Sequence, residues 1–408
     1  MKQFLQIALG ILSAIGGFVD IGDLVFNTQA GATFGFQLLW VVVIGVIGII
    51  VYSEMCGRVA AISKRPVFDL VRERVGFSAG LGTLVASSVV NLMTCAAEVG
   101  GIAIVLQLLS GLPYRYLLVL AVIGLVVVSW SLPFVWIERM FGYIGLCLLV
   151  FAVAAIKLHP SWGSVAHGFV PGMPSTNRLV FLYFAVGLLG AALTPYEVYF
   201  YSSGAVEDGW GPKDLRINKV TSVIGYSLGA FLSFSLMIVA AVLFLPKGID
   251  PQFLGTPALG AADALGKVGL ILALVGILFA VGGAAIETSF SGAYNLAQFF
   301  GWQWGKRHRP SRAPRFALSW IVIFVLALAI VMTGYDPVKI TEYSVIFSVV
   351  ALPLTFLPIL LVANDPTYMG RYRNGRFSNV LGVLYFILIL AIAVSAIPLM
   401  IITNGGQG

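Results

Sequence analysis

Apolar runs of about twenty residues, the length that crosses a bilayer as a helix, recur almost from end to end of this 408-residue chain. Read between polar breaks, they give eleven spans, near residues 4–32, 36–62, 79–110, 116–134, 141–158, 178–207, 219–245, 267–300, 315–333, 337–363 and 379–403. The first and sixth are interrupted. Only 10% of the residues are charged and 59% are apolar, whereas an ordinary soluble protein carries about 25% charge. The chain therefore reads as an all-α integral membrane protein with about 11 transmembrane helices, one domain over 1–408. A nucleic-acid binder, a disulfide scaffold and a soluble enzyme are excluded at this point. Cys56, Cys95 and Cys147 have neither metal nor redox spacing and read as free thiols.

The net charge of +7 could suggest an acidic partner. Its distribution argues for topology instead. With the N-terminus placed in the cytoplasm, 18 of the 24 Lys and Arg fall in inner loops, and six (Arg115, Lys157, Arg178, Lys247, Lys267, Lys339) in outer ones. That is the positive-inside bias. It predicts a multi-pass cell-membrane protein with a cytoplasmic N-terminus and an extracytoplasmic C-terminus.

Both interrupted spans carry acids where acids are expensive. Span 1 reads Gly16-Gly17-Phe18-Val19-Asp20-Ile21-Gly22-Asp23, followed by Asn27, Thr28 and Gln29. Each mid-span carboxylate costs about 2.5–3.5 kcal/mol on the insertion scale. Span 6 reads Ala191-Ala192-Leu193-Thr194-Pro195-Tyr196-Glu197, and Pro195 removes a backbone donor. Two alternatives stand beside this: Asp20 and Asp23 at an outer boundary, and a simple proline kink with a snorkelling Glu197. Each break opens a five-span block, about 4–158 and 178–363, with 379–403 left over. Broken helices in corresponding positions point to an inverted-repeat transporter whose site lies where the breaks cross. Asp20, Asp23 and Glu197 would meet there with no Lys, Arg or His in either break. Uncompensated oxygens call for a hard cation.

In this order, these residues resemble the Nramp family of divalent metal transporters, over nearly the whole chain. Asn27-Thr28-Gln29-Ala30-Gly31-Ala32-Thr33-Phe34-Gly35 is similar to the family's NIQAGAxFG. Leu70-Val71-Arg72-Glu73-Arg74 resembles its LCRER. Asp365 to Met369-Gly370, then Asn374, approaches its DxxxMGxxxN. The resemblance implies a five-plus-five inverted repeat with broken helices 1 and 6 and an eleventh helix. It also implies that the Ala191 carbonyl is a ligand. The departures are specific. The family's D-P-G-N is Asp20-Ile21-Gly22-Asp23 here, so an amide ligand becomes a carboxylate. Its A-x-x-M-P-H ends in Thr194-Pro195-Tyr196, so the thioether is gone. A second sixth-span histidine is Tyr201, Cys95 replaces the acid preceding Glu98, and Val345 replaces a glutamine.

Losing the thioether removes the feature that discriminates against hard ions. Losing the histidines and one acid weakens the case for proton coupling. The expectation is an oxygen-only site for a transported divalent cation, Mg²⁺ or Mn²⁺ before Ca²⁺. Its ligands would be Asp20, Asp23, Glu197, the Ala191 carbonyl and the Thr194 hydroxyl, the last directly or through water. No resident cofactor and no enzymatic role are expected. The partners are the cation and the bilayer, with a monomer slightly favoured. Glu98 and Glu287 either line the ion path or are buried acids held by neighbouring helices. Tyr196, Tyr199 and Tyr201 are aromatic packing or, on a second reading, part of a cage for an organic cation; Tyr196 and Tyr201 are also path-lining candidates. A non-transporting sensor is a third reading, opposed by the lack of an output domain. The Lys306–Arg315 run reads as a solvated inner loop that could touch anionic lipid.

Overall fold

In a computed structural model, the described residues are 19–407. The first half of span 1, and Lys2, lie outside them. The described residues form helices α1 Ile21–Phe34, α2 Leu39–Ser63, α3 Val67–Val75, α4 Phe77–Ser110, α5 Tyr114–Ser131, α6 Phe134–Gly145, α7 Leu149–Lys157 and α8 Trp162–Gly168. They continue as α9 Arg178–Ala192, α10 Pro195–Glu207, α11 Leu215–Leu243, α12 Thr256–Phe300, α13 Pro314–Met332, α14 Pro337–Asn364, α15 Pro366–Met369 and α16 Arg376–Ile402. Counting α6–α7 and α9–α10 as single crossings, ten described spans are long and apolar enough to cross a membrane. Helix α1 is the second half of the expected span 1, whose first half lies outside the described residues, so the eleventh crossing is not among the ten.

Several boundaries move, each for a local reason. The nearly continuous spans 1 and 2 part at Gly35, where φ is +61°, a conformation that favours glycine. The span expected at 141–158 starts at Phe134, directly after Pro133, a residue that readily precedes a helix; a 3₁₀ turn at Leu146–Leu148 joins α6 to α7. The span expected at 267–300 gains a short preceding helix across Gly266, whose φ of +63° breaks the ladder. The loop between spans 2 and 3 holds the amphipathic helix α3.

The core is one large apolar cluster, with a small second one of Ala60, Ala61, Ala205, Trp210 and Ile217. Glycines set its closest approaches. A Cβ on Gly31 would lie 2.4 Å from the Met237 carbonyl oxygen of α11, and one on Gly45 2.5 Å from the Ala192 Cβ. Small residues allowing backbone contact are how helices associate in lipid. They draw α1 onto α11 and α2 onto α9.

Candidate cation site

The break in span 6 is fully described. Helix α9 ends at Ala192. Leu193 (φ −103°, ψ 46°) and Thr194 (φ −61°, ψ 121°) leave the helical region, and Pro195 opens α10 as its first residue. A helix end leaves its last carbonyls without helical partners, and Ala191 lies in that last turn. Glu197 falls in the first turn of α10, where the helix dipole favours a negative charge. Asp20 is extended (φ −91°, ψ −175°) and caps α1, accepting the Asp23 N–H at 2.9 Å. Ser, Thr, Asp and Asn are the residues that cap best.

The two discontinuities touch. The Tyr196 hydroxyl donates to the second Asp20 oxygen at 3.2 Å, across 176 positions of sequence. A Cβ on Gly22 would lie 3.8 Å from the Ala191 Cβ and 2.8 Å from Val345 of α14. Asp20, Asp23, Thr194 and Glu197 are all buried. The six ion pairs among the described residues involve none of them.

The expected convergence of three carboxylates is not present in this conformation. Asp23 accepts Ser233 Oγ at 2.7 Å and Asn27 Nδ2 at 2.7 Å. Glu197 accepts the Tyr226 hydroxyl at 3.0 Å, and its Oε2 is buried without a hydrogen bond. Ser233 and Tyr226 both belong to α11, seven residues or about 10 Å apart along the axis. Asp23 and Glu197 are thus held at separate levels of α11. Among the described residues no three Asp, Glu, His or Cys side chains are close enough to hold a metal together. The cause is local: like charges repel, and each acid has its own hydroxyl donor on α11.

Glu98 of α4 is fully buried, accepts Thr288 Oγ1 at 3.3 Å, and has an Oε2 with no hydrogen bond. It lies within electrostatic reach of both Asp20 and Glu287. From there a polar seam on α12 runs toward its C-terminal end. Ser291 Oγ donates to the Tyr196 carbonyl at 3.0 Å, Asn295 to Ser87 at 2.7 Å, and Gln298 to Ser203 at 2.8 Å. Tyr201 turns away from this path: its hydroxyl donates to Asn218 Oδ1 at 3.0 Å and its ring packs on Trp210. Tyr199 packs on Phe68. The hydroxyl donors Tyr226 and Ser233 were not among the sequence candidates. Their signal is a polar and small-residue stripe, Ser222, Tyr226, Gly229 and Ser233, at helical spacing.

Ten described membrane-length helices, with a break at the molecule's centre and buried acids that lack basic partners, define a multi-span membrane protein of transporter architecture. A family model described as natural resistance-associated macrophage protein-like matches residues 10–398, and the chain belongs to the Nramp family. Similar curated proteins include the divalent metal cation transporter MntH of Aeromonas hydrophila, 26% identical over 419 residues, covering 96% of this chain and 95% of the relative. The MntH of Deinococcus radiodurans is 24% identical over 388 residues, covering 92% and 85%. Among solved structures, the Eremococcus coleocola manganese transporter in complex with an aromatic bis-isothiourea compound superposes with a TM-score of 0.81. It is 20% identical, over 97% of this chain and 86% of that one. Mhp1, a nucleobase-cation-symport-1 family transporter, matches at TM-score 0.59 and 17% identity over 96% and 91%. These two likenesses show the fold.

Proposed function

We propose that this chain carries a divalent metal cation across the cell membrane by alternating access, with Asp20 at the centre of the site. The observation that carries the reading is the junction itself: a buried aspartate with no basic partner at one helix start, against the terminated end of another. The relatives are named as divalent metal cation transporters, which agrees with it, and nothing in the site supports an enzyme. The Ala191 carbonyl and the Thr194 hydroxyl supply neutral oxygens. Asp23 and Glu197 complete the shell by leaving their α11 donors. An all-oxygen shell suits Mg²⁺ or Mn²⁺, with Ca²⁺ next. Inward movement of a divalent ion gains about 4.6 kcal/mol per 100 mV, twice the single-charge value, so uptake does not require proton coupling.

The organic-cation reading loses its walls in this geometry. Tyr196 offers Asp20 its hydroxyl, and Tyr199 and Tyr201 pack elsewhere. The test is a binding titration of Mg²⁺, Mn²⁺, Ca²⁺ and guanidinium on the wild type, Asp20→Asn and Asp23→Asn, followed by uptake into proteoliposomes. Asp20→Asn should abolish binding and uptake of divalent ions, and Asp23→Asn should weaken both. Undiminished metal binding in Asp20→Asn, or tighter binding of guanidinium than of any metal, sinks the proposal.

A further inference from the structure

At the end of the bundle that the charge bias assigns to the cytoplasm, the Lys306–Arg309 segment lies over a cavity of about 620 Å³. Its floor is aromatic: Phe290 packs on Phe316 and Trp320 at ring distances of 5.9 and 5.5 Å. Its rim is the α5–α6 junction at Ser129–Pro133 and the first turns of α13. No acidic residue lines it, whereas Lys306, Arg307, His308 and Arg309 do.

The cations differ in how free they are. The Lys306 ammonium sits 4.1 Å above the Phe134 ring, and Arg307 is paired with Asp208. Arg309, and Arg312 just beyond it, are exposed and take part in none of the ion pairs among the described residues. Two further features add attraction for an anion. Ser129 lines the cavity, and its Oγ lies buried behind the cavity wall without a hydrogen bond. Helix α13 starts at the cavity, and its cap residue Ala313 has no side-chain acceptor for the first N–H groups, so the positive end of a 19-residue helix is left open.

The aromatic residues fix the depth. Five of the eight tryptophans, Trp130, Trp136, Trp302, Trp304 and Trp320, sit on the segments bordering this region. Trp130 is about half exposed and its ring lies 6.4 Å from that of Trp320. Arg315 stacks on Trp302, and Arg139 on Trp136. Tryptophan belts mark the headgroup level of a bilayer. The cavity is therefore a basic pocket between spans at headgroup depth, with exposed apolar side chains at its membrane edge.

We propose that this pocket binds the phosphodiester of an anionic phospholipid of the inner leaflet. The phosphate takes Arg309 and the open N-terminus of α13, a small turn of the Ser129 side chain adds its hydroxyl, and an acyl chain runs along Trp130 and Leu132. Basic pockets between membrane helices recognise lipid phosphates in this way. The site is separate from the cation junction and holds whatever ion is transported. Free inorganic phosphate shares the chemistry and lacks the acyl chain, so it separates the two sources.

The test is native mass spectrometry of the full chain in detergent, titrated with phosphatidylglycerol, with phosphatidylcholine of the same acyl length, and with inorganic phosphate as competitor. Three variants accompany the wild type: Arg309→Glu with Arg312→Glu; Lys213→Glu with Arg216→Glu, an equal charge change at the exposed start of α11; and Ala317→Phe, which fills the cavity at constant charge. The wild type should retain phosphatidylglycerol at least about tenfold better than phosphatidylcholine. The 309/312 and Ala317 variants should lose that preference by about the same factor, and the 213/216 variant should keep it. Equal retention of the two lipids overturns the proposal. So does equal loss in both charge-reversed variants, or unchanged binding in Ala317→Phe. Displacement of the lipid by inorganic phosphate at equal concentration assigns the pocket to the free ion and overturns the lipid reading. Should the 309/312 variant fail to fold, Ala317→Phe alone decides.

Discussion

At the scale of single residues, two hydroxyls of α11, Tyr226 and Ser233, hold Glu197 and Asp23 apart. In the sequence, Asp20, Asp23 and Glu197 stand out because a carboxylate in an apolar span is costly enough to demand a reason. Tyr226 and Ser233 do not stand out, since a hydroxyl on a membrane helix is cheap and common, and only the assembled helices show that α11 faces both breaks. This has a testable consequence. If Asp23 must leave Ser233 to reach a cation, its hydrogen bond to Ser233 competes with the metal. Hydrogen bonds to charged groups contribute about 1.5–3 kcal/mol. Ser233→Ala should therefore tighten divalent binding by about tenfold while lowering the melting temperature, because the ion-free state keeps a buried charge with one donor fewer. Tyr226→Phe should act the same way through Glu197. Calorimetric titration with Mn²⁺ or Mg²⁺ checks both, and weaker binding in both variants would show that α11 holds the acids in their ion-bound positions instead.

At the scale of elements, the apolar runs found the spans, and Pro195 found the break between α9 and α10. What they missed were structures set by one backbone angle or one amphipathic turn. Gly266 and Gly35 act through positive φ, which no hydropathy window registers. Helix α3 is too short and too charged to read as a span, yet it packs Val67, Phe68, Leu70 and Val71 into the core. Close packing gives a paired prediction. Gly31→Ala places a methyl 2.4 Å from the Met237 carbonyl oxygen, a backbone atom that cannot rotate away. Overpacking of this kind costs about 1–3 kcal/mol, so the melting temperature in detergent should fall by several degrees. Gly82→Ala, with nothing within 4 Å of the added carbon, should hold or raise it, because alanine favours a helix over glycine by about 1 kcal/mol. Equal losses at the two positions would remove the argument that α1 and α11 meet backbone to backbone.

At the scale of the whole molecule, two sequence patterns quoted separately turn out to be one device. The segment Leu70–Arg74 and the segment from Asp365 to Asn374 lie about three hundred residues apart and meet at one end of the bundle. Arg74 pairs with Asp365 at 2.8 Å, and the Tyr368 hydroxyl donates to Glu73 at 3.2 Å. Arg65 binds both Asp69 and Glu73 at 2.7 Å. Deeper in, Arg58 holds Glu54 one helical turn away and donates to Asn374 at 2.7 Å. The network ties α2 and α3 to the chain between α14 and α16, and sequence alone could not show it because the partners lie about three hundred residues apart. Isolated exposed ion pairs contribute little, so the effect must come from the network acting together. The Arg65 guanidinium holds the Glu73 carboxyl below its usual range, and the Thr367 N–H, with Arg74, does the same for Asp365. A carboxyl lowered on folding stabilises the fold above its unfolded pKa, near 4, and loses that contribution as pH falls through the folded value. The melting temperature from these groups should thus be flat from pH 8 to about 5 and drop below about 4. In Arg65→Gln the neutral-pH value should already be lower and the acid drop shallower, since Glu73 then keeps only the weaker pull of the Tyr368 hydroxyl and Arg72. An acid profile identical to wild type in Arg65→Gln would mean that the network does not bind these segments together.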